Sequence, residues 1–204
     1  MSLLPAFKIG VWNAWILMLY YPVHPILMLL IDQLVGTGGI YKKMADAPYN
    51  STEKLAFISA NALSFVLLLY SIFLPLKLGS AWFYVGMVVY LFGLVMFLVA
   101  IGNIASTPPD EPFVKGLYHY SRHPMVFFSF FTFMGVGIAT ASWLFLLLLA
   151  IVIVCFAIYV VAEERGCCDR FGDSYREYMD RTPRWLGVPK TGKSKSAETG
   201  SGRI

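Results

Sequence analysis

The chain has 204 residues, of which 58% are apolar and only 14% are charged. A soluble domain is about half apolar and about a quarter charged. The composition therefore excludes a soluble enzyme, a disordered protein and a nucleic-acid-binding module. The net charge of +4 comes largely from the C-terminal end, which is typical of membrane topology rather than of nucleic-acid binding. We predict an integral membrane protein with a single domain over residues 1–189.

Five apolar stretches predict an all-α fold with five transmembrane helices, because about 20 residues cross the hydrocarbon core as a helix. Pro22 and Pro25 are expected to kink the first of them. Only Ala141 and Ser142 separate the fourth from the fifth, so these two should form a tight antiparallel hairpin. The predicted spans cover residues 9–31, 55–76, 81–101, 124–140 and 143–162.

The basic residues predict the orientation of the chain. If the hairpin begins and ends in the cytoplasm, only Lys8 and Lys77 of the 16 Lys and Arg residues lie outside. The positive-inside rule therefore places the N-terminus outside and the C-terminus in the cytoplasm. The Arg-rich stretch over residues 165–184 indicates contact with anionic membrane lipids. Residues 190–204, rich in Gly, Ser, Thr and Lys, predict a disordered cytoplasmic tail.

Polar residues crowd against the cytoplasmic ends of the predicted hairpin. Arg122 and His123 begin one arm, and Glu163 and Glu164 end the other. One interpretation is a salt bridge at the membrane surface. The other is a site for a zwitterion, in which an Arg or His holds the carboxylate and a Glu holds the ammonium group. Aromatic residues that could form a slot for a purine ring beside it are Phe113, Tyr118 and Tyr120.

Five short motifs follow one another in the second half of the chain. They are Gly-x-Tyr (116–118), Arg-His-Pro-Met (122–125), Glu-Glu-Arg (163–165), Phe-Gly-x-x-Tyr-x-x-Tyr (171–178) and Pro-Arg-Trp (183–185). Each is weak alone, but in this order they resemble the membrane methyltransferases. That group comprises the isoprenylcysteine carboxyl methyltransferases, their prokaryotic relatives and the phospholipid N-methyltransferases.

The resemblance implies S-adenosylmethionine bound at the cytoplasmic face, over a tunnel open to the bilayer. The implied reaction is methyl transfer to a small or lipid-like acceptor: a prenylcysteine carboxylate, a phospholipid amine or a thiol. Arg122 and Glu163 are the implied catalytic residues, with Arg122 orienting Glu163 or the acceptor. The implied cofactor contacts are Pro112, Phe113, Val114, Tyr118, His123, Pro124, Met125, Val126, Glu163 and Glu164.

Two residues depart from the family pattern. Val126 stands where members usually have a Tyr. Tyr159 stands where members that methylate a prenylcysteine carboxylate have an Arg, and we expect it to contact the substrate. Because a buried carboxylate without a counter-charge is costly, methylation of a carboxylate is the least favoured of these reactions.

Three alternatives stand beside this interpretation. His119 and His123 have the spacing of a helical zinc pair, but Pro124 directs His123 away from helical geometry, so we predict no metal site. A sterol-reductase-like, NADPH-dependent membrane reductase shares the Arg-His-Pro pattern but is usually much longer. A non-enzymatic membrane scaffold would use the same charges as a topology anchor. The sequence does not predict an oligomeric state.

Overall fold

The computed structural model describes residues 9–35, 47–108 and 111–190, and these residues are mainly helical. No strand occurs within those ranges, where the only β-type pairing is an isolated bridge between Asn13 and Pro75. The all-α expectation is therefore confirmed over these residues, while the predicted tail lies almost wholly outside them. The α-helices are α1 (Trp15–Met18), α2 (Tyr20–Val35), α3 (Ser51–Ser71), α4 (Ala81–Ala105), α5 (Pro124–Ala139), α6 (Trp143–Phe171) and α7 (Asp173–Arg181), with a 3₁₀ helix at Gly116–His119.

Three of these helices, α3, α4 and α6, are long and apolar enough to cross a membrane. Their outer faces stay apolar: the side chains of Ile58, Val88 and Leu147 are each more than half exposed. Apolar faces of this extent belong against lipid rather than water. The protein is therefore a membrane protein. The apolar stretches Trp15–Ile31 and Pro124–Ala139 are shorter, so five crossings remain a prediction.

The first apolar stretch becomes helical at Trp15 rather than at residue 9, because the preceding backbone pairs with another segment. Ala14 N–H donates to the Leu74 carbonyl over 2.9 Å, and α1 ends at Met18 before α2 begins. Pro25 lies inside α2 and cannot donate to the carbonyl of Tyr21. The His24 ring occupies that carbonyl instead, with 2.5 Å between Nδ1 and the oxygen.

Helices α4 and α5 pack closely because glycines line their interface. A Cβ added at Gly93 would lie 2.6 Å from the backbone nitrogen of Thr132. One added at Gly135 would lie 2.5 Å from the backbone nitrogen of Tyr90. Small residues at such positions let membrane helices approach backbone to backbone. Helix α5 therefore packs more extensively on α4 than on α6.

Helices α3 and α6 lie antiparallel. Arg165 of α6 donates two hydrogen bonds to Glu53, at 2.7 and 2.5 Å, and a third to the Pro48 carbonyl at 2.8 Å. About one turn further along α3, the Phe57 ring meets that of Tyr159 edge to face, with centroids 5.2 Å apart. The start of α3 is thus fixed beside the last turns of α6.

Residues 140–142 connect α5 to α6 in a tight turn in which Ala141 has a positive φ of 53°. The Ser142 hydroxyl caps α6 by accepting from Phe145 N–H over 3.3 Å. Helix α6 extends beyond the predicted span, which covers residues 143–162, to Phe171, and Gly172, with φ of 59°, then turns the chain into α7. The turn and the residues 122–123 and 163–164 lie at opposite ends of this helix pair.

Candidate active site

A cavity of about 430 Å³ is lined by side chains of the six helices α2 to α7 and of the 3₁₀ helix. It extends to the cluster formed by Arg122, His123, Glu163 and Glu164, here called the polar collar. Most of the predicted site residues line it, but four do not. The lining residues among them are Phe113, Tyr118, Arg122, His123, Met125, Val126, Tyr159 and Glu163. Those not on the wall are Pro112, Val114, Pro124 and Glu164.

Glu164 is enclosed by cations, and its side chain is only 3% exposed. Arg184 donates to both of its oxygens, from Nε to Oε1 over 3.0 Å and from Nη2 to Oε2 over 2.7 Å. Oε1 also lies 3.1 Å from Nη1 of Arg122 and 3.2 Å from Nε2 of His123. For Glu164 the salt-bridge interpretation therefore describes the geometry. Its hydrogen bonds raise the pKa of Arg184, which keeps that side chain charged.

Glu163 faces a different way. Consecutive residues on a helix point about 100° apart, and here one carboxylate enters the ion cluster while the other reaches the cavity wall. The Glu163 side chain is 32% exposed, and its Oε2 lies 3.7 Å from Nδ1 of His123. The His123 ring thus stands between the two carboxylates and is held in place by the Trp185 ring, 6.3 Å away between centroids.

The resemblance implied that Arg122 orients Glu163 or the acceptor; within the described chain its ion pair is with Glu164. Its Nε atom is buried and has no hydrogen-bond partner among the described residues, although the side chain lines the cavity. A buried donor without an acceptor is costly. The geometry therefore favours a ligand oxygen, such as that of a carboxylate, beside Arg122.

The aromatic end of the cavity is held by backbone contacts. Phe113 and Tyr118 pack with ring centroids 5.7 Å apart. The hydroxyl of Tyr178 donates to the carbonyl of Tyr118 over 2.6 Å, and burial raises the pKa of both phenols, so Tyr178 stays a donor. Asn103 accepts from Leu117 N–H over 2.9 Å. These contacts fix the 3₁₀ helix against α4 and α7.

Sequence reasoning did not assign a role to Arg184, although it noted the Pro-Arg-Trp motif. The segment over residues 183–187 runs beside residues 120–122. Arg122 N–H donates to the Pro183 carbonyl over 3.1 Å, and Gly187 N–H donates to the Tyr120 carbonyl over 3.0 Å. The Pro-Arg-Trp motif was the available signal in the sequence. The partner of Arg184 is Glu164, which lies 20 residues earlier in the chain, and the two side chains meet only in the folded protein.

Comparison with known families matches the segment that carries the polar collar. Residues 78–174 match the model of the phospholipid methyltransferase family. The match includes the whole of α4, α5 and α6 and all four residues of the polar collar, so this segment is similar to membrane methyltransferases. This match, over slightly less than half of the chain, agrees with the resemblance seen in the motifs. No curated relative matches the chain.

Proposed function

We propose that the protein transfers a methyl group from S-adenosylmethionine to an amine carried by a membrane lipid. The family match supports methyl transfer. The observation that carries the proposal is that Glu163 and Arg122 line the same cavity, while Arg122 Nε has no hydrogen-bond partner among the described residues. When bound, the cofactor supplies a methyl group already activated by its positively charged sulfur.

The residues present fit the polar groups of this cofactor. Arg122 can donate from Nε to its carboxylate, and Glu163 can accept from its ammonium group, both as charge-assisted hydrogen bonds. Phe113 and Tyr118 provide an aromatic wall for its adenine ring. Because Glu164 is already neutralised by Arg184, Arg122 and His123, it supports these groups without contacting the cavity.

The charges of the cavity favour an amine as the acceptor. Among its described lining residues, Arg122 and the imidazoles of His24 and His123 are the only groups that can carry positive charge. Arg122 is assigned to the cofactor, His123 is engaged by Glu164, and Tyr159 supplies no positive charge. A carboxylate acceptor would therefore lie in the cavity without a permanently charged counter-ion.

An ammonium acceptor must lose a proton before it can attack the methyl group. Of the groups that the sequence suggested as proton acceptors, Glu163 and Tyr159 line the cavity, whereas Glu164 and His119 do not. A carboxylate accepts a proton more readily than a phenol at neutral pH. It also has two oxygens, so Glu163 can serve both the cofactor and the acceptor. We place this chemistry at the cytoplasmic surface, where the basic residues predict the collar to lie.

The test is transfer of a labelled methyl group from S-adenosylmethionine to phosphatidylethanolamine in vesicles containing the purified protein. We expect label in the lipid amine. Arg122→Lys should lower kcat/KM by about tenfold or more, because lysine cannot replace the directed Nε donor. Arg176→Lys is the matched control, since Arg176 is exposed and pairs with Asp173. Label recovered only as a base-labile methyl ester, or equal rates for the two variants, would contradict the proposal.

A further inference from the structure

The membrane-embedded part of the cavity carries hydrogen-bonding side chains. Tyr21 and His24 of α2, with Asn61 and Ser64 of α3, line it below the polar collar, and we call these four residues the polar band. Polar side chains within membrane spans are costly and usually face a ligand path or a partner. Beyond the band, the wall is largely apolar, with Phe133, Leu149 and Val152.

The register of α3 against α6 gives the depth of the band. Phe57 meets Tyr159, which lies four residues before Glu163 on α6. Asn61 lies four residues beyond Phe57 on the antiparallel helix. At 1.5 Å per helical residue these two steps together place Asn61 about 12 Å from the level of Glu163, toward the membrane interior. Ser64 follows within the next turn.

The band offers neutral hydrogen bonds. Since a carbonyl only accepts, the 2.5 Å contact with the Tyr21 carbonyl means that Nδ1 of His24 carries the hydrogen, and Nε2 is an acceptor. Asn61 donates to the Phe57 carbonyl over 2.8 Å, which uses one of its two N–H groups. The Tyr21 hydroxyl lies beside that of Ser64. Such a set suits a neutral oxygen group on the ligand.

We propose that the polar band binds the ester carbonyl groups of a glycerophospholipid acceptor; the proposal rests on the proposed function. In an ethanolamine glycerophospholipid roughly nine bonds separate the amine nitrogen from the nearer ester carbonyl carbon. With bonds of about 1.5 Å, this path extends over about 11 Å. An amine at Glu163 therefore places the ester group at Asn61, and the acyl chains against Phe133, Leu149 and Val152. An isoprenyl chain has no polar group at that depth.

A matched pair of lipids tests the band. Diacyl phosphatidylethanolamine and its dialkyl ether analogue share head group and chain length and differ in the ester carbonyls. Each competes with a labelled diacyl lipid for the full-length protein in detergent, saturated with S-adenosylhomocysteine. We expect the native protein to bind the diacyl lipid about tenfold more tightly, the effect of one or two neutral hydrogen bonds. Asn61→Leu should abolish most of this preference by weakening diacyl binding alone.

Two further variants complete the design. Ser64→Ala removes one hydroxyl with little change in volume and carries the test if Asn61→Leu fails to fold. Ser129→Ala is the control, because Ser129 lines the cavity from α5, outside the band, and its hydroxyl donates to its own helix, at the Val126 carbonyl, over 2.7 Å; the preference should persist.

Equal affinity for both lipids in the native protein, or no binding of either, would overturn the band. If the labelled methyl group reaches both lipids at equal rates, the polar band does not recognise the ester carbonyls, and the proposed function stands. If the diacyl preference is found but S-adenosylhomocysteine does not bind, the proposed function is wrong and the lipid site stands.

Discussion

At the scale of single residues, the two neighbouring glutamates of the Glu-Glu-Arg motif have different surroundings. Glu164 is buried under Arg122, His123 and Arg184, while Glu163 lies on the cavity wall. The resemblance implied cofactor contacts for both. We propose ligand contact for Glu163 alone, because Glu164 is taken up by the ion pairs that hold the collar together.

Removing Glu164 should destabilise the protein strongly. The variant Glu164→Ala leaves two guanidinium groups and an imidazole close together without their anion, and breaking a buried ion pair costs about 3–5 kcal/mol. Unfolding in detergent, followed by circular dichroism, measures this loss. Glu177→Ala is the matched control, because Glu177 forms an exposed pair with Arg181 and such pairs contribute little. Equal unfolding midpoints for the two variants would show that the cluster does not stabilise the fold.

The sequence predicted the collar because motif order and a short turn are local information. Arg122, His123 and Glu163 could be paired once two helices were expected to run antiparallel. The roles of Arg184 and Asn61 could not be predicted in the same way. The partner of Arg184 depends on how the chain returns after α7, and the place of Asn61 on the cavity wall depends on the register between α3 and α6.

At the scale of helices, hydropathy identified the apolar segments but did not give the residues at which the helices begin and end. Helix α6 continues past residue 162 to Phe171 because its charged last turns are still helical and end only at Gly172. Conversely, residues 9–14 are apolar enough to suggest a helix, but their backbone pairs with residues 74–76. An apolar composition records contact with lipid or core, whereas a helix boundary depends on the hydrogen bonds available there.

Replacing each of two glycines of α4 by alanine should change the stability of the protein in opposite directions. Gly93→Ala places a Cβ 2.6 Å from the Thr132 backbone nitrogen, and overpacking of this kind costs about 1–3 kcal/mol. Gly102→Ala meets nothing within 4 Å and should stabilise α4 by up to about 1 kcal/mol through helix propensity. Thermal unfolding midpoints should therefore shift down for the first variant and up for the second. A Gly93→Ala protein as stable as the native one would show that the helices do not approach so closely.

At the scale of the whole molecule, the cavity joins two environments. Its collar end holds charged groups, and its remaining wall lies among helices whose outer faces are apolar. Composition and span length could predict the membrane, and the ordered motifs could predict the family. The cavity itself needs side chains from six of the helices to converge, which no local pattern in the sequence records.

The proposed function depends most on a cofactor bound between Arg122 and Glu163. Calorimetric titration of the detergent-purified protein with S-adenosylhomocysteine tests this directly, with NADPH titrated in parallel. We predict saturable binding of S-adenosylhomocysteine that Glu163→Ala weakens at least tenfold, since a charge-assisted hydrogen bond is lost, and that Glu177→Ala leaves unchanged. Unaltered affinity in Glu163→Ala, binding of NADPH alone, or no binding of either ligand by folded protein would contradict the account.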